Sequence, residues 1–141
     1  MNKENLPSFN NFTHQMAFDM GTLALAIVKE RQYRRIGVRI SLEDKLVFQY
    51  LMDGKNEDIY LKGKEKVVQT TKHSSDYVFN HKDEYVELLD DKSFCVSGGA
   101  IPIFINDECK GSISISGMTQ EADHALSLEV LNLIYQKSLE N

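Results

Sequence analysis

Apolar and polar positions along the chain fall into two periods. Met16, Met20, Leu23 and Ile27 recur at i, i+4, i+7 and i+11, one stripe of a helix. Ala17, Ala24 and Val28 widen that stripe, and Thr13 stands where an N-cap belongs. The pattern predicts a helix from His14 to about Arg31. Gly21 and the alanines are small enough to let it sit close to a sheet. Lys29, Arg31, Arg34 and Arg35 gather at its end, where the helix dipole favours cations. The period then drops to two. Ile36, Val38 and Ile40 alternate with Gly37, Arg39 and Ser41, and Leu46, Phe48 and Tyr50 alternate with Val47 and Gln49. Leu42-Glu43-Asp44-Lys45 between them is short enough for a hairpin.

Asn56 is placed to cap a second helix, with Glu57 and Asp58 in its first turn. Tyr60, Leu61, Val67 and Val68 are its apolar positions, and Gly63 weakens it by about 1 kcal/mol relative to Ala. Thr70 to Lys92 has no clear period. Tyr77-Val78-Phe79 suits a short strand or a helical turn, and Tyr85 to Leu89 suits another turn. Three strands are then predicted at Phe94–Ser97, Ala100–Ile105 and Ser112–Ser116. Ile101, Ile103 and Ile105 share one face. Pro102 donates no backbone hydrogen bond, so its strand is expected at an edge or to stop there. Asn106-Asp107-Glu108 reads as a turn. Ile113 and Ile115 face inward, and Ser112, Ser114 and Ser116 face the opposite way. The last helix runs from about Gln120 to Ser138, with Ala122, Leu126, Val130, Leu133 and Ile134 on its core side. The predicted order is α, ββ, α, irregular, βββ, α, an α+β chain. Hairpin-length joins favour antiparallel pairing.

The chain's 141 residues suit one domain, expected over 13–141 behind an irregular arm at 1–12. The net charge of −5 disfavours nucleic acid as a partner, which calls for a cationic face. The first residues carry no apolar signal core, and no stretch has the ~20 apolar residues of a membrane span. Cys95 and Cys109 form no C-x-x-C pair. Together these features predict a cytoplasmic protein with reduced thiols and no membrane partner.

Three polar or glycine-rich segments fall at element ends. His73-Ser74-Ser75 places an imidazole beside two hydroxyls, which suits a metal or heme ligand or a base. The same residues also suit a helix end and the cap of the next turn. Ser97-Gly98-Gly99-Ala100 allows close approach of a ligand or of another backbone. It lacks the strand–G-x-G-x-x-G–helix setting of a dinucleotide site. Gly117 opens the turn into the last helix, whose free N–H groups favour a carboxylate or propionate. Asp123-His124 lies one turn inside, and Asp123 complements the dipole with no ligand at all. Lys62, Lys64, Lys66 and Lys72 read as a solvated helix face. No H-E-x-x-H, P-loop, G-x-S-x-G or cysteine zinc pattern occurs, so no metal cluster and no catalytic residue is assigned.

In order along the chain, Leu6-Pro7-Ser8-Phe9, Lys64 to Val68, His73-Ser74-Ser75, Gly98-Gly99-Ala100-Ile101-Pro102-Ile103, Gly111 to Gly117 and Asp123-His124-Ala125-Leu126 form a series. That series resembles the heme-degrading domain-containing family related to GlcG and HbpS, over about residues 6–137. The resemblance implies a profilin-like fold, an antiparallel five-stranded sheet with helices on both faces. It also implies a homo-oligomer built from dimers, with heme as the possible cofactor. His73, Ser74, Asp123 and His124 match the pattern. Ser97 stands where such proteins often have His, Gly63-Lys64 where they often have Arg-Lys, and Thr119 where they usually have Pro. The expected function is a small-molecule binding module holding heme, another tetrapyrrole or a small carboxylate. Its expected site residues are His73, Ser74, Ser75, Gly98, Gly99, Gly117, Asp123 and His124. A non-catalytic oligomeric interaction protein and a heme-degrading enzyme are the alternatives. No nucleophile–base–orienter set supports the enzyme.

Overall fold

Strict alternation in one strand organises the molecule. In the computed structural model, which describes residues 2–140, β5 (Glu108–Ser116) lies at the centre of a five-stranded sheet. Its neighbours are β4 (Ala100–Ile105) and β2 (Gly37–Leu42), both antiparallel to it. Outside β2 lies β3 (Lys45–Leu51) and outside β4 lies β1 (Ser8–Phe9), giving the order β1-β4-β5-β2-β3. Ile113 and Ile115 join Val38, Ile40, Ile101 and Ile103 in the main core, against α1 (His14–Arg31) and α5 (Gln120–Ser138). Ser112 and Ser114 point the other way, beneath α2 (Ile59–Thr71), and the Ser114 hydroxyl donates to the Leu61 carbonyl at 3.0 Å. α3 (Ser75–Asn80) and the single turn α4 (Val86–Leu89) fill the irregular stretch and close a small core of Val67, Val78 and Leu88.

Local chemistry explains most boundaries. Thr13 accepts a hydrogen bond from the Met16 amide and Thr119 from the Ala122 amide, so α1 and α5 start where the sequence predicts. Glu43-Asp44 and Asn106-Asp107 all have positive φ, as two-residue hairpin turns demand, and short polar side chains suit that backbone. Gly21 lets α1 lie on the sheet, because a Cβ there would run into the Phe48 ring.

Four expectations are corrected. The arm is not wholly irregular: Ser8 and Phe9 form an edge strand parallel to β4. Phe94–Ser97 is not a strand, so the fifth strand comes from the N-terminal arm. Asn56 does not cap α2, which starts at Ile59 after Asp58 with no side-chain cap. Gly63 does more than weaken α2, since a Cβ there would lie 2.7 Å from that of Cys95 and 2.9 Å from its amide nitrogen. Pro102 lies outside the short β1–β4 ladder of Phe104 and Ile105, so its missing N–H costs no pairing there.

Candidate functional site

The glycine pair, the end of β5, the first turns of α5 and the middle of α2 meet at one end of the sheet. Lys64 is the link. It lies three residues after Leu61 and four before Val68, on the apolar stripe of α2, and is 3% exposed. The solvated face expected for the lysine run therefore fails at Lys64. Its Nζ donates to the Ile115 carbonyl at 3.0 Å and to Asp123 Oδ2 at 3.2 Å. Asp123 is 2% exposed, and its Oδ1 accepts from the Met118 amide at 3.0 Å. Burial pushes the Asp123 carboxyl above its ordinary range, and Lys64 and the Met118 N–H pull it partly back. The protein's own carboxylate thus occupies the β5–α5 turn, where a ligand's carboxylate was expected.

The glycines serve this close packing. Gly99 has φ +142°, and a Cβ there would strike the Ile115 carbonyl and lie 2.7 Å from Lys64 Nζ. Its own carbonyl accepts from the Ser127 hydroxyl at 2.7 Å. Gly98 donates to Gln120 Oε1 at 3.1 Å, and a Cβ there would meet the Gln120 carbonyl oxygen at 2.6 Å and His124 Cβ at 3.3 Å. Gly117, with φ +138°, packs on the Arg35–Ile36 backbone.

The hydroxyls are spent within the protein. Ser75 Oγ accepts from the Ala100 amide at 3.0 Å, on a part of β4 that β1 does not reach. Ser74 caps α3 by accepting from the Tyr77 amide at 3.0 Å, its amide donates to Glu4 Oε2 at 2.8 Å, and its hydroxyl donates to Glu4 Oε1.

The two imidazoles flank the start of α3 and meet different carboxylates. His73 Nδ1 lies 3.4 Å from Glu4 Oε2, and its ring stacks on Tyr77 with centroids 4.1 Å apart. Tyr77 stacks in turn on His81 at 4.0 Å. His124 Nε2 lies 3.8 Å from Asp76 Oδ2, beyond a hydrogen bond, and its buried Nδ1 has no partner among the described residues. The structure therefore gathers Gly98, Gly99, Asp123 and His124, with Ser75 and Asp76 beside them. Gly117 adjoins them through its backbone N–H, which faces the Asp123 carboxylate. Sequence reasoning missed Glu4, Asp76, Gln120 and Lys64. Of these, only Lys64 carried a signal, its place on the apolar stripe.

Residues 12–132 match the model of a family described as "Haem degrading protein HbpS-like". The chain belongs to the HbpS-like family. This HbpS-like chain is 31% identical over 133 residues to a UPF0303 protein of Serratia proteamaculans, covering 88% of this chain and 82% of that one. It is also similar to Ybr137w, a UPF0303 protein of Saccharomyces cerevisiae. That crystal structure superposes with a TM-score of 0.84 at 30% identity, over 94% of this chain and 83% of the other. The crystal structure of a PduOC:heme complex shares the fold, with a TM-score of 0.74 at 12% identity over 86% and 93% of the two chains. Family and fold thus agree with the resemblance read from the sequence. Among the described residues, no helix is long and apolar enough to cross a membrane.

Proposed function

We propose that this HbpS-like chain is a binding module for heme or a related iron tetrapyrrole, with His124 as the iron-facing imidazole. One observation carries the proposal. Among the eight expected site residues, His124 keeps uncommitted chemistry: a buried Nδ1 with no partner and an Nε2 outside hydrogen-bond distance of Asp76. Because Nδ1 is sealed inside the protein, Nε2 is the nitrogen left to meet a ligand. Heme takes an axial nitrogen donor from the protein, and His124 fits that requirement. His73 is the second imidazole on the same side of the fold, steadied by Glu4 and Tyr77. The PduOC:heme complex, built on the same fold, supports this reading. A small carboxylate is disfavoured, because Asp123 already fills the α5 helix-start position.

Titration with hemin and with metal-free protoporphyrin tests iron ligation. Hemin is expected to show a shifted, sharpened Soret band at micromolar protein and to bind more tightly than the metal-free ring. No spectral change, or equal affinity for both rings, would sink the proposal.

A self-associating protein is the second reading, favoured by apolar side chains along the outer edge of the sheet. Phe18, Leu46 and Tyr50 are each about half exposed on or beside edge strand β3. Light scattering coupled to size exclusion is expected to give a dimer or a multiple of one, and a monomer would count against self-association.

A further inference from the structure

A cavity of about 390 Å³ opens at the other end of β5, away from His124. Its volume falls within the ~300–1,000 Å³ range of small-molecule sites. Its floor is Ser41, Ser112 and Cys109. One wall is the end of α2, carrying Gln69 and Lys72, and the other is the β2–β3 turn, carrying Glu43 and Asp44. Ser112 is 2% exposed, lines the cavity and bonds through its hydroxyl to no described residue. Open to the cavity, that hydroxyl keeps both its donor and its acceptor capacity for a ligand atom. The neighbouring Ser41 hydroxyl is fixed by donating to Glu65 Oε1, and Arg39 Nε holds Glu65 Oε2 at 3.1 Å. This part of the floor is therefore rigid and polar.

Charge decides the class of ligand. Lys110 also lines the cavity, and its ammonium group is paired with Glu108 at 3.1 Å. Lys72 remains on the helix wall, donating to the Gln69 carbonyl at 2.8 Å, and two acidic residues remain on the turn wall. A simple anion would meet Glu43 and Asp44, and a simple cation would meet Lys72. A molecule carrying both charges suits both walls. We propose that this cavity binds a small zwitterion of the α-amino-acid class, its carboxylate on Ser112 and Lys72 and its ammonium group on Glu43 and Asp44. The site shares no residue with the heme proposal and stands without it.

Calorimetry on the full chain with each standard amino acid, and with acetate and methylammonium as single-charge probes, tests the assignment. At least one amino acid is expected to bind, at least ~10-fold more tightly than either single-charge probe. Lys72→Met, at an exposed position, is expected to weaken that binding about 10-fold, as the loss of one charged hydrogen bond does. Ser112→Val, checked for folding by circular dichroism, is expected to weaken it similarly, and the paired change Glu43→Gln with Asp44→Asn should abolish the advantage over acetate. Absence of heat with every amino acid, acetate binding as tightly as the best of them, or unchanged affinity in Lys72→Met would each overturn the proposal.

Discussion

Lys64 tolerates a nearly complete loss of water because two oxygens receive its ammonium group, one from Asp123 and one from Ile115. Removing either partner leaves a buried charge alone, which costs about 3–5 kcal/mol. Lys64→Met is therefore expected to lower the unfolding free energy by that amount at pH 7. Adding Asp123→Asn, which keeps an acceptor for the Met118 amide, should recover most of the loss. The pH dependence has a definite sign. Burial already raises the Asp123 carboxyl above its ordinary 3.8, and without Lys64 it rises further. A raised folded value contributes stability that is full below the ordinary value and lost as pH rises through the raised one. Urea unfolding of Lys64→Met should thus show partial recovery from pH 7 to pH 5. Asp58 and Glu129 are lowered from 3.8 and 4.5, Asp58 first by its hydrogen bond from Gln49 and Glu129 by that from Arg31. Their contributions are lost only as pH falls through those lowered values, so they do not mask the recovery. A variant less stable at pH 5 than at pH 7 would contradict a buried carboxylate at this position.

At the scale of elements, the N-terminal arm does more than the sequence suggests. β1 covers the outer end of β4: the Asn106 amide donates to the Phe9 carbonyl at 2.8 Å, and the Asp107 amide to Ser8 Oγ at 2.7 Å. Deleting residues 1–9 should speed hydrogen exchange at both amides by at least ~10-fold and lower the thermal midpoint. Unchanged protection at both would show that the arm is dispensable. Two residues cannot display a period, and their pairing is parallel and long-range, so β1 left no local trace in the sequence. The Phe94–Ser97 segment failed for the opposite reason. Its alternating apolar residues look like a strand, but Phe94 and Val96 pack beneath α2 and α3 instead of pairing. The long periodic elements were legible to the residue: both ends of α1 and α5, and the inward isoleucines of β5. The site was legible in part. Asp123-His124 and the glycine pair meet, because helix start and strand start are fixed by patterns a sequence shows. The carboxylates beside the two imidazoles, Glu4 at His73 and Asp76 at His124, come from elements whose placement only the tertiary fold decides.

At the scale of the whole molecule, the two faces of the sheet differ in kind. One packs isoleucines against α1 and α5. The other packs serines and Arg39 against Lys64 and Glu65 of α2, a polar layer whose charges pair within the protein. A chain of net charge −5 that commits Arg39 and Lys64 to internal carboxylates keeps few cations for an anionic ring near His124. The proposed binding of heme must then rest on iron ligation more than on charge, which makes the imidazole decisive. Paired hemin titrations of the native protein and His124→Ala therefore test the central claim most directly. The account predicts at least a ~10-fold loss of affinity and loss of the sharpened Soret band in the variant, with folding unchanged by circular dichroism. Equal affinity and an identical Soret band in both proteins would contradict it.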